Sequence, residues 1–301
     1  MAKSNGIKVK NHIKEAGASL KDLMQEHLTI ISEDMIDQVR INLNKATPAQ
    51  RVNAYNGVTP TGAQAYQSEL LTALSIISFD AIDQARREVP KAKKVKLSDL
   101  KKYGEIPEES INLSEFDLLP PGVQRALKNQ ARFLVGTQLA DLEKNLFFQF
   151  SNSYDSTDSI DTILDDLAGQ ADDYMEGVAI ESGAVSVAGK TINDARNAFF
   201  FDDDVLEELD GFEFWNGDPV TDICNDLYDN FGPGKYLIAK DDPNLFRLTP
   251  PLHWRCKSTI LPVLKGKAGD RETKPFAPSE SSLEDQIQFS ECHHYLNHKL
   301  K

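Results

Sequence analysis

Cysteine is scarce in this sequence. Its 301 residues include three cysteines, too few for the disulfide framework of a small secreted domain. Long apolar runs are also lacking, because no stretch approaches the roughly 18 uninterrupted apolar residues of a membrane span. The N-terminus carries charge without the apolar core of a signal peptide. We therefore expect a soluble protein made in a reducing cytoplasm, with no membrane contact.

Basic residues are outnumbered by acidic ones. The chain has 33 lysines and arginines against 47 acidic residues, a net charge of −14. This balance disfavours a dedicated nucleic-acid binder, whose affinity rests on neutralising phosphates. The exception is residues 86–102, with eight basic and two acidic side chains, which we interpret as a solvated linker. The alternative is contact with DNA or an acidic partner surface through Lys91, Lys93, Lys94, Lys96, Lys101 and Lys102.

The N-terminal region contains an internal repeat. Residues 28–43 and 74–89 are identical at nine of sixteen positions, with an offset of 46 residues. Apolar residues recur in both copies in steps of three and four, which predicts two amphipathic helices. A helix pair packed into the core is the first interpretation, and two equivalent docking helices are the second. Docking would use Leu28, Ile31, Met35, Leu74, Ile77 and Ala81.

The middle of the chain has the apolar spacing of further helices. A long helix is predicted from Val123 to about residue 151, and Ser159 is a candidate N-cap for the next one. Gly183 and Gly189 are expected to interrupt the helices that follow. Thr191 is a candidate cap for a helix that reaches residue 201.

After residue 210 the pattern changes to short strands. Candidate strands are residues 212–215, 235–240, 245–248 and 258–263, with a helix starting at Asp218. The sequence therefore predicts an α+β fold that is predominantly α-helical, with long helices and a small C-terminal β-containing region. We divide it into an N-terminal helical region (1–120), a second domain (121–264), and a linker with a C-terminal helix (265–301).

The β-containing region also holds the most distinctive side-chain pattern. A tryptophan and an aspartate precede a cysteine, and a Pro-Pro-x-His-x-x-Cys segment follows about thirty residues later. The residues of this pattern are Trp215, Asp218, Cys224, Pro250, Pro251, His253 and Cys256.

This pattern resembles the C-terminal signature of the phage head morphogenesis family. The members of this family are minor head proteins related to the minor head protein of phage Mu. With the helices upstream, the resemblance covers residues 123–264. The family signature has a Cys-x-x-Cys and ends in Cys-Arg-Cys. Thr221 and Ser258 stand here where one cysteine of each pair would be, and Lys257 replaces the arginine.

The resemblance implies a structural component of a virion and not an enzyme. It implies a place in the phage head interior or at the portal vertex, after assembly in the host cytoplasm. The implied partners are the portal protein and the major capsid or scaffold proteins, and the implied role extends to DNA packaging or ejection. The alternatives are an enzyme of the toxin or transferase type and a zinc-dependent binding module. The 37 residues after Leu264 are too few for an added catalytic domain.

Three interpretations compete for Cys224, His253 and Cys256. They form a small core without a cofactor, they bind zinc with an unnamed fourth ligand, or a thiol acts as a nucleophile activated by His253. A structural zinc site normally has four protein ligands. A catalytic thiol needs a base held by an orienting group, and the sequence offers no candidate for that group. We therefore favour the core without a cofactor, with zinc as the alternative.

Overall fold

The computed structural model describes residues 2–90, 119, 121–153, 158–217, 221–242, 245, 248–253 and 255–275. Predictions made for the six lysines between residues 91 and 102, for Asp218 and for the C-terminal helix lie outside these residues. The described elements confirm an α+β fold that is mostly helical. They are α1 (Ala2–Lys45), a 3-10 helix (Pro48–Asn53), α2 (Ala63–Glu88), α3 (Pro121–Ser153), α4 (Ile160–Glu176), α5 (Val178–Phe200), α6 (Asp203–Leu206), β1 (Leu209–Trp215), α7 (Asp222–Phe231) and β2 (Thr259–Leu264).

The two strands form one small antiparallel sheet. Phe214 pairs with Ile260 and Trp215 with Thr259, and the register is irregular between Leu209 and Gly211. The predicted strand over residues 235–240 is reduced to isolated bridges at Leu237 and Ile238. Leu245 and Leu248, the described residues of the candidate strand 245–248, are not in a strand.

The prediction that glycines interrupt the helices after α4 is wrong. Helix α5 runs through Gly183 and Gly189, and Thr191 lies in its interior instead of capping it. Each glycine costs a helix about 1 kcal/mol relative to alanine. Burial of the apolar stripe on α5 offsets this cost, because a continuous helix is needed to place it in the core. That stripe consists of Ala184, Ala188, Ile192, Ala195 and Phe199.

The repeated segments are helical, as predicted, in α1 and α2. The six apolar residues proposed for docking are all buried, and none is more than 8% exposed. A partner therefore cannot reach them in this conformation, and their burial supports the interpretation as core. The repeat also has an exposed pair at equivalent positions, Ile30 at 55% and Ile76 at 47%.

The chain forms two compact units, each built from separate stretches of sequence. Unit 1 takes the described residues within 1–18, 72–128 and 185–301, and unit 2 those within 19–71 and 129–184. These units cut across the division at residues 120 and 264. No helix among the described residues combines the length and apolar character that a membrane crossing requires.

The core of unit 1 surrounds the small sheet. Its aromatic residues are Phe199 and Phe200 of α5, Phe212 and Phe214 of β1, and Phe231 of α7. Cys224 and Cys256 belong to the same cluster. The candidate site is thus part of the packed interior.

A buried ion pair lies in the same unit. Arg196 of α5 donates two hydrogen bonds of 2.9 Å to the two carboxylate oxygens of Glu88 at the end of α2. The side chains are 0% and 5% exposed, and the guanidinium also stacks over the Phe200 ring at 5.1 Å. Because a buried charge is costly unless it is paired, the two residues depend on each other.

Candidate metal centre

Helix α7 supplies the first residue of the site. Its buried face carries Ile223, Cys224, Leu227 and Phe231, so amphipathic spacing turns the Cys224 thiol toward the core. The helix begins after Thr221, which is its N-cap residue but makes no capping hydrogen bond with its side chain.

The segment before β2 supplies the other two residues. It follows Pro250 and Pro251, which are joined by a cis peptide bond, and it contains His253 and Cys256. The Cys256 amide donates to the His253 carbonyl over 3.2 Å, and this hydrogen bond closes a backbone turn over residues 253–256. Arg255 within that turn has a φ of 59°, in the left-handed region that few non-glycine residues adopt.

The three side chains converge. The Cys224 and Cys256 sulfurs are 4.0 Å apart, and the candidate ligand atoms of Cys224, His253 and Cys256 all lie within 4.8 Å of one another. The two cysteines are fully buried and His253 is 8% exposed. Residues that are 29 and 32 positions from Cys224 in the sequence therefore form one cluster able to hold a metal ion.

The two thiols have different proton affinities. Burial by itself raises the pKa of the Cys256 thiol. Hydrogen bonds from Cys224 and His253, together with the charge of His253, outweigh burial and hold that pKa well below its usual range. The hydrogen bond to Cys256 and then burial raise the pKa of the Cys224 thiol. The Cys256 thiol therefore gives up its proton more readily than the Cys224 thiol, and a metal ligand must be deprotonated.

Two hydroxyl groups lie next to Cys224. Ser258 Oγ is 3.5 Å from the Cys224 sulfur, accepts a hydrogen bond of 3.4 Å from the Gly217 amide, and is 3.3 Å from Asn216 Oδ1. The Thr221 hydroxyl interacts with the same thiol and makes no hydrogen bond of standard geometry among the described residues. The two positions that lack the cysteines of the phage family signature are therefore both beside the site.

Helix α5 holds the His253–Ser258 segment in place. The Ser186 hydroxyl accepts a hydrogen bond of 2.8 Å from the Arg255 amide, and the Asn193 amide group donates to the Ser258 carbonyl over 3.2 Å. At Gly189 the segment comes so close that an added Cβ would lie 2.7 Å from the Cys256 carbonyl oxygen. These supporting residues were not predicted as functional, and the glycine in an apolar helical stripe was the available signal.

Trp215 of the predicted signature also lies at this site. It ends β1 and is 8% exposed, and the next two residues, Asn216 and Gly217, contact Ser258. The α1 residue Gly6 is so close that a Cβ there would overlap the Trp215 ring. Trp215 is therefore buried against α1, and the two residues that follow it reach Ser258 beside the candidate metal ligands.

A separate cleft lies in unit 2. It has a volume of about 450 Å³ and is lined by the 3-10 helix region and by α3, including Tyr55, Val58, Lys144 and Phe147. Phe147 and its neighbour Phe148 are about half exposed. The cleft brings together no potential metal ligands among the described residues, so the site in unit 1 is the better candidate for chemistry.

Burial limits what the site in unit 1 can do. A bulky substrate cannot reach thiols that are fully buried, whereas a metal ion bound during folding can. Two sulfurs and one imidazole nitrogen are the ligands that zinc prefers. Comparisons with protein-family models, with curated proteins and with solved structures find no match for this chain.

Proposed function

We propose that this chain is a phage minor head protein, a structural component that acts in head assembly. The observation that supports the proposal is the convergence of Cys224, His253 and Cys256 in one buried cluster. These residues belong to one family-like signature, and Cys224 is 29 and 32 positions away in the sequence from His253 and Cys256. A chance resemblance gives no reason for them to share one buried site.

The proposal includes a location and partners. The protein is assembled in the host cytoplasm and resides in the head interior or at the portal vertex, where it contacts the portal protein and the major capsid or scaffold proteins. It has no catalytic activity of its own. The lysines between residues 91 and 102 contact DNA or an acidic protein surface during packaging or ejection.

Quantitative mass spectrometry of purified particles tests this function. We expect a few to a few tens of copies of this chain per washed, intact head, measured against the major capsid protein. The portal protein then becomes the first partner to test by cross-linking. Absence from both immature and mature particles contradicts a role as a virion component.

We further propose that zinc is the ion bound by Cys224, His253 and Cys256, and that it has a structural role. The supporting observation is the 4.0 Å separation of the two sulfurs with an imidazole nitrogen within 4.8 Å. An ion there links α7 to the segment that leads into β2. The chain then depends on zinc for the stability of unit 1 without using it for catalysis.

Elemental analysis of the full chain, purified without chelators, tests the zinc site. We expect about one zinc per chain. The Cys256→Ser variant should lose most of it, because a serine hydroxyl is a far poorer ligand than a thiolate. Cys224→Ser removes the other proposed thiolate ligand and should lose zinc to a similar extent. Metal-free wild-type protein that does not bind added zinc contradicts this proposal and leaves the head-protein proposal unaffected.

A further inference from the structure

The proposed zinc site has three identified ligands and needs a fourth to complete a tetrahedron. A structural zinc ion is almost always bound by four ligands. Among the described residues the cluster contains three side chains of the usual ligand types, Cys224, His253 and Cys256. The fourth ligand is therefore either an oxygen of a different residue type in this cluster or a group from elsewhere in the chain.

The spacing of the atoms favours Ser258. With zinc–sulfur bonds of about 2.3 Å and zinc–oxygen bonds of about 2.1 Å, tetrahedral geometry places two sulfurs about 3.8 Å apart and a sulfur and an oxygen about 3.6 Å apart. The Cys224–Cys256 sulfur distance is 4.0 Å, and the distance from Cys224 Sγ to Ser258 Oγ is 3.5 Å. Both distances are within a few tenths of an ångström of the tetrahedral values.

The hydrogen bonds of Ser258 leave one lone pair for a metal. Its Oγ accepts from the Gly217 amide, and its proton is directed to either Asn216 Oδ1 or the Cys224 sulfur. When the proton goes to Asn216, the oxygen keeps a second lone pair on the side of Cys224. Thr221 also has a buried hydroxyl near Cys224 but lacks a comparable donor and acceptor pair to orient it.

Charge favours the same assignment. Two thiolates, a neutral imidazole and a neutral hydroxyl around Zn²⁺ give a centre with no net charge. A third thiolate in the fourth corner gives a net charge of −1, which is costly in a site whose cysteines and Ser258 are all 0% exposed. A serine suits a fully buried centre for this reason.

We propose that Ser258 Oγ is the fourth zinc ligand, so that the site consists of Cys224, His253, Cys256 and Ser258. This assignment rests on the zinc site proposed above. It makes the oxygen the weakest ligand of the site, because a neutral hydroxyl binds zinc less tightly than either of the two thiolates.

Zinc affinity of the full chain, measured by competition with a chromophoric chelator, tests the assignment. Ser258→Ala should weaken zinc binding at least about tenfold, since even residues that only support ligands contribute about 10- to 100-fold. Ser258→Cys should keep zinc bound, because a thiolate takes the place of the hydroxyl at the same corner. The matched controls are Thr221→Val and a Cys292→Ser change at the third cysteine of the sequence. Each removes another potential zinc-binding side chain, and both variants should bind zinc as tightly as the wild type.

Absorption spectroscopy of the cobalt-substituted protein provides a second test, for the case that a variant folds too poorly for an affinity measurement. In the cobalt-substituted full chain, Ser258→Cys should add sulfur-to-cobalt charge-transfer absorption, since a third thiolate joins the metal. The assignment is overturned if Ser258→Ala retains wild-type affinity, or if Thr221→Val or Cys292→Ser causes the loss instead. If wild-type protein binds no zinc, the zinc site itself fails, and that result is distinct from a wrong fourth ligand.

Discussion

At the scale of single residues, the site depends on a glycine without a side chain as well as on its cysteines and histidine. Gly189 allows the Cys256 backbone to lie directly against α5, where a methyl group has no room. Gly183, one and two-thirds turns earlier in the same helix, has no atom within 4 Å of the position of an added Cβ. Substitution by alanine should therefore have opposite effects on stability at these two glycines.

Replacement of Gly189 by alanine should destabilise unit 1. The added Cβ forces the His253–Ser258 segment away from α5, and overpacking of this kind costs about 1–3 kcal/mol. Urea unfolding followed by tryptophan fluorescence measures the change in free energy. Gly183→Ala is the control and should stabilise the chain by up to about 1 kcal/mol, because alanine is the better helix former. Equal effects of the two substitutions would mean that the close approach at Gly189 is absent.

The buried pair of Arg196 and Glu88 gives a second prediction at this scale. Arg196→Met leaves the Glu88 carboxylate buried without its partner, so we expect a loss of about 3–5 kcal/mol in the free energy of unfolding. Arg87→Met is the control. Arg87 forms an exposed ion pair with Asp83, and such pairs contribute at most about 1 kcal/mol.

A double substitution separates the pair from simple loss of packing. Arg196→Met combined with Glu88→Met removes both charges, and we expect it to recover most of the stability lost in the single variant. Chemical unfolding of the three variants under one set of conditions measures this. A double variant less stable than Arg196→Met would show that the cost does not come from an unpaired charge.

At the scale of elements, local signals start and end helices while packing decides whether they continue. Ser159 caps α4 by accepting a hydrogen bond of 3.1 Å from the Thr162 amide. Helix α4 has its buried residues at helical spacing, so its start and its buried face agree. In α5 the packed stripe carries the helix through two glycines that local propensity alone would have treated as ends.

Loss of the α4 cap should weaken unit 2. Ser159→Ala removes the acceptor for the Thr162 amide, and losses of this kind cost about 1 kcal/mol. Ser159→Asp keeps an acceptor at the same position and should be close to wild type. Urea unfolding followed by far-ultraviolet circular dichroism measures both. A Ser159→Asp variant as unstable as Ser159→Ala would contradict the capping role.

At the scale of the whole molecule, charge distribution controls any contact with DNA. The chain has a net charge of −14, so long-range repulsion from phosphates opposes binding. A local excess of positive charge over residues 86–102 opposes this repulsion. Binding through these lysines should therefore be weak, local and strongly dependent on salt.

Two triple variants of equal net charge test this. Lys91, Lys93 and Lys94 changed to glutamine, and Lys8, Lys14 and Lys45 changed to glutamine, both lower the net charge by three from −14. We expect the first variant to lose at least about tenfold in affinity for duplex DNA at low salt, with a smaller salt dependence, and the second to lose little. Fluorescence anisotropy with labelled DNA measures both. Equal losses would assign the effect to net charge and exclude a local contact.

The sequence by itself determined that α1 to α4 are helical, where the two sheet strands lie, and which residues form the candidate site. Apolar spacing located α1 to α4, Ser159 was identified as a cap, and Trp215, Cys224, His253 and Cys256 were selected from one motif. These features could be predicted because each depends on neighbours within a few turns or on residue chemistry alone.

Only the tertiary structure decided the rest. It placed the repeated apolar faces in the core, carried α5 through Gly189, and brought Thr221 and Ser258 to the Cys224 thiol. It also assembled each compact unit from distant stretches of the chain. No local pattern contains this information, because burial and close backbone approach depend on which segments meet, and that is fixed by the packing of the whole chain.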